Sequence, residues 1–289
     1  MGDAASATAP NRFDLGFLGV ECGLPRATAS GRSIRELTYV HFTVLLDTDR
    51  KLAAVAAANI DGSGLRDIAR GDDWHLDERV DAAEQTGPAV YARNDLDRGH
   101  LVRRRDPVWG PADVAERANR DTFAYTNAAP QAAEFNQSKD LWNGLEDHVL
   151  EYASANALRL SVFTGPVFGD ADVSYRGTRI PTRFWKVAAW ASAAGALRAA
   201  GFLLDQSPQL DGIDLESGIA TALATDAPPP LGPFRTFQLG IADIAELTAL
   251  DFGRLPAVDT YAAAAARPGD GEAPSRAWTE LHTPAQIEL

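Results

Sequence analysis

Short apolar runs alternate along the chain with polar breaks marked by glycine, proline and asparagine, and most runs are too short for helices. Leu37–Leu46 (LTYVHFTVLL) is rich in β-branched and aromatic residues and reads as one strand. The turn Asp47–Arg50 leads it into a second run, Leu52–Asn59, which together give a hairpin signal. Asn59–Gly64 (NIDGSG) is a turn cluster. Ala89–Arg93 and Thr122–Thr126 predict two further short strands, the second stopping at Asn127-Ala-Ala-Pro130. A helix is predicted over about Ser138–Ala155, where Leu141, Leu145, Val149 and Tyr152 recur at helical steps. Leu158–Thr164, Arg183–Trp190 and Leu197–Leu204 read as strands of one sheet. Residues 206–233, with Pro228-Pro-Pro230, read as an excursion loop; Phe234–Leu239 returns as a strand and Ile241–Leu250 as a short helix.

Strands and helices mix without strict alternation, so an α+β fold with a mixed, mainly antiparallel sheet and flanking helices is favoured over a doubly wound parallel sheet. Residues 1–36 are Ala-, Ser- and Gly-rich with a short apolar patch at Phe13–Val20, and read as a loosely held arm. The stretch 255–289 reads as an Ala-rich tail without a firm element, packed on the domain or extending from it.

With 289 residues, 45% of them apolar and 23% charged, the chain has an ordinary globular composition. Its 27 cationic against 40 acidic residues give a net charge of −13, which excludes a histone-like coat on nucleic acid but allows a local basic site. Cys22 is the only cysteine, so neither an intramolecular disulfide nor a zinc site of several thiolates can form. The first twenty residues lack the basic and apolar regions of a secretory signal, and no apolar run approaches the roughly 18 residues that cross a bilayer. The expectation is a cytoplasmic protein with no membrane partner.

Arg93–Arg105 departs from this acidic background: five Arg against two Asp make the window +3. Within it Asp97-Arg98-Gly99-His100 places an imidazole two residues from a guanidinium. Hydrolysis of a phosphodiester needs a base near neutrality, which His supplies, and positive charge where the phosphorus centre becomes more anionic, which Arg supplies. Gly99 is expected to permit a bend that brings both groups to one concavity. A solvated arginine run and a structural histidine remain the plainer reading of the same residues.

Asp97-Arg98-Gly99-His100 resembles the DRGH signature of the DNA/RNA non-specific endonucleases, a family with a ββα-metal (His-Me finger) active site. Thr126-Asn127-Ala-Ala-Pro130-Gln131, Phe135-Asn136-Gln137 and Leu141-Trp142-Asn-Gly-Leu145-Glu146-Asp147 resemble its second block in the right order. Fainter echoes are Asn59-Ile-Asp-Gly62, Phe163-Thr-Gly-Pro166 and Pro181–Val187, so the resemblance spans 37–254 as one endonuclease domain.

The resemblance implies a metal-dependent endonuclease that cuts DNA and RNA to 5′-phosphate ends. His100 would be the general base, Asn136 the direct ligand of one Mg²⁺ (or Mn²⁺), and Arg98 a phosphate contact. Asn127 would orient groups at the site, Glu146 would hold metal-bound waters or assist the leaving group, and Asp97 would support from behind. Arg103, Arg104 and Arg105 are candidate phosphate contacts. The family commonly has a further arginine on an upstream strand; Tyr39–Leu46 holds none, so Arg93 or Arg183 is the candidate substitute. Each role has a plainer alternative: Asn127 as a turn residue, Asn136 as a helix cap, Glu146 as a wet helix-edge carboxylate. Asn136 and Glu146 are ten apart, about 80° off one helix face, so both serve one site only if Asn136 precedes the regular helix. Two other functions stay open: a partner-gated toxin or defence module, and a phosphodiesterase for small substrates. An inhibitor, immunity protein or activating protease as partner, and a homodimer, are compatible with the reading.

Overall fold

The computed structural model describes residues 12–28, 30–132, 158–170, 172–207, 235–261, 278–283 and 286–287. In chain order these give β1 (Arg26–Ala27), β2 (Ile34–Tyr39), β3 (Phe42–Asp47) and β4 (Leu52–Asp61). Then come the helical turn α1 (Pro88–Tyr91), β5 (Leu96–His100), α2 (Ala112–Asp121) and β6 (Ala128–Ala132). There follow β7 (Arg159–Val167), β8 (Val173–Tyr175), β9 (Thr178–Ile180), β10 (Arg183–Ala191), β11 (Leu197–Asp205) and β12 (Arg235–Leu239). Last are α3 (Ile241–Thr248), β13 (Leu250–Asp251) and β14 (Thr279–Leu281).

The frame is an eight-stranded sheet in the order β14-β12-β11-β10-β7-β4-β3-β2, antiparallel at every pairing. The fold is α+β. β4 (LAAVAAANID) is buried over nearly its whole length, and its alanines let layers approach closely on both faces. Gly165 on β7 serves the same end: a Cβ there would strike the Ala54 carbonyl and the indole of fully buried Trp185. One face of the sheet carries Leu37, Phe42, Val44, Leu46 and Phe202 against Leu101, Val102, Ala124 and Ala129 of the β5–β6 region. The opposite face packs Phe163, Trp185 and Leu203 against Phe13, Phe17 and Leu18, and against Ile241 and Ile244 of α3.

Several expectations are corrected. Residues 12–28 are not a loose arm: Phe13, Phe17, Leu18 and Cys22 are buried, the Phe13 amide donates to the Thr43 hydroxyl, and β1 pairs with β13. Leu37–Leu46 is two strands, because the chain turns at Val40–His41 with His41 at φ 65. That left-handed histidine is held by its Nδ1 against the Pro107 carbonyl (2.8 Å) and by stacking on Trp109. Ala89–Arg93 is helical over α1 rather than a strand. Thr122–Thr126 is the end of α2 and a 3₁₀ turn, and α2 itself carried no recognised signal. The tail adds β14 to the edge of the sheet. The helix expected over Ser138–Ala155 and most of the 206–233 excursion lie outside the described residues. Among the described residues no helix is long and apolar enough to cross a membrane.

Candidate active site

The Asp97-Arg98-Gly99-His100 segment is strand β5, paired antiparallel with β6 so that His100 faces Ala128, Gly99 faces Ala129 and Asp97 faces Gln131. Gly99 is needed for packing rather than for a bend: a Cβ would run into the buried side chain of Gln131, which lies across it. β5 and β6 are separated in sequence by α2 and a 3₁₀ turn, and Asn127 closes the gap. Its buried Oδ1 accepts from the Val102 amide (2.8 Å), while its Nδ2 donates to the carbonyls of Val102 and Thr122 (3.0 Å each). The Asn127 carbonyl also accepts from the Leu101 amide. The amide of Asn127 is therefore spent on backbone, and it acts by fixing the chain that leaves His100.

His100 lies between two rings, Trp74 at 4.7 Å and Phe123 at 5.2 Å between centroids. Trp74 reaches it because the backbone of His75 is stitched to Phe123 and Tyr125. The same segment is braced by Asp77, whose carboxylate accepts from Arg79 and from the Tyr39 hydroxyl. Burial works against the Asp77 charge, yet these hydrogen bonds hold its pKa down to about 2. His100 is half-buried, but its Nε2 is fully buried and has no hydrogen-bond partner among the described residues. Burial first, then the charges of Arg70, Arg104 and Arg98, push its pKa down to about 3. Burial and these charges thus favour the neutral imidazole, the form that can accept a proton, while weakening it as a base.

A pH profile follows. The lowered pKa keeps the base competent well below 6.5, so kcat/KM should run without a break near pH 6.5, the ordinary histidine value, and fall only at lower pH. Stability has the matching sign: below about 6.5 the unfolded chain binds a proton that folded His100 does not, so this contribution is lost as pH falls toward 3. A steady-state profile showing an acid limb at 6.5 would count against this environment for His100.

Of the other residues singled out from sequence, Arg98 sits beside His100 with its guanidinium carbon 5.3 Å above the Trp74 ring. Arg104 is close enough to His100 to act on its charge, but one of its nitrogens is tied to the Ile68 carbonyl and Asn119. Arg103 is half-buried and Arg105 exposed on the same loop. Asp97 is half-buried on β5. Two cations fall elsewhere. Arg93 is exposed in the turn before β5, at the far end of the strand from His100. Arg183, at the start of β10, faces the charge cluster of Asp172, Arg50 and Arg179. Arg70 is a further cation whose charge acts on His100, and sequence reasoning missed it together with Trp74 and Phe123. The signal was an isolated Arg-Gly-Asp-Asp-Trp (70–74) in an otherwise polar connection. Asn136 and Glu146 lie outside the described residues. Among the described residues no group of three His, Cys, Asp or Glu side chains could hold a metal ion.

The family model for DNA/RNA non-specific endonucleases matches residues 26–258. A protein of Sinorhizobium fredii described as uncharacterized protein y4fB is 37% identical over 265 residues, covering 87% of this chain and 39% of that protein. Mitochondrial endonuclease G of Bos taurus is 30% identical over 156 residues, half of each chain, and that of Homo sapiens is 29% identical over the same length. The chain thus spans about half the length, or less, of the curated relatives it matches. Among solved structures, an EndoG/EndoGI complex bearing on EndoG inhibition shares the fold, with a TM-score of 0.58 at 19% identity, covering 85% of this chain and 93% of that one.

Proposed function

The chain belongs to the DNA/RNA non-specific endonuclease family, and from that membership we propose that it is a nuclease that hydrolyses the phosphodiester bonds of DNA and RNA. The observation that carries the reading is the placement of His100 at the end of β5 beside Arg98, its ring held between Trp74 and Phe123. The His100 imidazole takes a proton from the attacking water as its oxygen bonds to phosphorus. The P–O3′ bond breaks, the leaving oxygen takes a proton from solvent water, and a 5′-phosphate and a 3′-hydroxyl result. Arg98 and Arg70 stabilise the growing negative charge on the phosphate oxygens. Asn127 and Phe123 hold the base, while Asn136 and Glu146 are assigned to a divalent cation on the resemblance. Such an ion, when bound, supplies charge stabilisation at the scissile phosphate and the leaving oxygen.

Incubation with plasmid DNA, with RNA and with a small phosphodiester, each with Mg²⁺ and with EDTA, tests the proposal. Both polymers should be cut internally with Mg²⁺, and EDTA should abolish the cutting. Turnover of the small diester alone, or cutting that survives EDTA, would overturn it. An inhibitor protein is the partner class this reading carries.

A further inference from the structure

Resting on the reading of His100 as base, we propose that Trp74 is a positioning residue for the reaction, its indole fixing the His100 imidazole and the Arg98 guanidinium relative to each other. One ring touches both groups: the His100 ring lies 4.7 Å from it at 51°, and the Arg98 guanidinium carbon stands 5.3 Å over its face. Among the described residues no hydrogen bond reaches the buried Nε2 of the imidazole. Its ring is packed with Trp74 on one side and buried Phe123, edge-on at 83°, on the other. Phe123 is part of the core, whereas Trp74 is half-buried and borrowed from a distant segment.

The indole is itself held, by Phe123 at 5.3 Å and Tyr125 at 5.6 Å, and by the backbone pairing of His75 with residues 123–125. Tyr125 is almost wholly buried, so this row of rings offers nucleic-acid bases no stacking surface beyond Trp74 itself. A cation over an aromatic face gains attraction and loses rotational freedom, which keeps the Arg98 fork aimed beside the base. The indole also keeps water from one side of an imidazole whose other charged neighbours are Arg70, Arg98 and Arg104.

The test uses the full chain with Trp74→Ala, Trp74→Leu and Trp74→Phe, read by cleavage kinetics with Mg²⁺. In parallel, the His100 imidazole is titrated by NMR without metal or substrate, its resonance assigned by its loss in His100→Ala. Trp74→Ala and Trp74→Leu should lower kcat on the order of 10²-fold with KM little changed, as a misplaced base does. Trp74→Phe should recover most of that loss, and the His100 midpoint in Trp74→Ala should rise toward about 6.5. Unchanged kcat in folded Trp74→Ala, a loss carried wholly by KM, or equal behaviour of Leu and Phe with an unmoved His100 titration would each overturn the assignment. Wild-type cleavage by His100→Ala would instead sink the base on which it rests, so the two failures are distinguishable.

Discussion

Cleavage of plasmid DNA by the His100→Ala protein is expected to fall by on the order of 10² to 10⁴-fold, the usual contribution of a placed general base. The expectation rests on geometry: His100 ends β5, its Nε2 is buried with no partner among the described residues, and burial first, then three arginines, favour its neutral form. The fold should survive, because β5 is held to β6 by backbone pairing and its register does not depend on the imidazole. Circular dichroism and a thermal melt check that condition, and the rate is then compared on equal amounts of folded protein. Near wild-type turnover would falsify the role of His100. An Arg98→Ala protein separates the two contributions: if Arg98 acts on the transition state, its loss should appear in kcat more than in affinity.

The second large effect is on stability. Asn127→Ala strips partners from three backbone groups in a fully buried place, the amide and carbonyl of Val102 and the carbonyl of Thr122. Each orphaned group costs about 1–3 kcal/mol, so the loss for the three should be roughly 3–9 kcal/mol, a large part of a domain's total stability. Urea denaturation would show it as a lower midpoint at unchanged slope. Cleavage should fall as well, since Val102 is the second residue after His100 and its release loosens the end of β5. Asn127→Asp should not rescue, because it removes the donor and buries a charge. A midpoint within experimental scatter of the parent would show that the clamp is redundant.

The strands β7, β10, β11 and β12 and the helix α3 were legible because their apolar runs are continuous and bounded by breaks. The β2–β3 hairpin was hidden because His41 takes the left-handed position where a glycine or asparagine would have announced a turn. α2 was missed since ADVAERANRD is mostly polar and buries only one side, at Val114, Ala115 and Ala118. The N-terminal phenylalanines have no periodicity of their own, and their burial exists only once the sheet offers them a face. At the site, the motif located His100 and Arg98 directly. Arg70 and Trp74 were not readable from spacing, because tertiary pairing through His75 and the Asp77 brace delivers them. Arg183 was singled out by charge alone, and at the start of β10 its charge acts on Asp172.

The pairing of β4 with β7 joins Ala56 to Thr164, so everything between them is one long closed loop. His100, Trp74, Phe123 and Asn127 all belong to that loop. Closing it is entropically expensive and belongs to the slow, non-local part of folding. The central pairing therefore acts as a temporal gate: a chain emerging from the ribosome has released the whole signature motif well before the strand that completes its frame. Until β7 arrives, β4 lacks one of its two sheet neighbours, and the layer carrying β5, β6 and His75 has only part of the surface on which it packs in the finished fold.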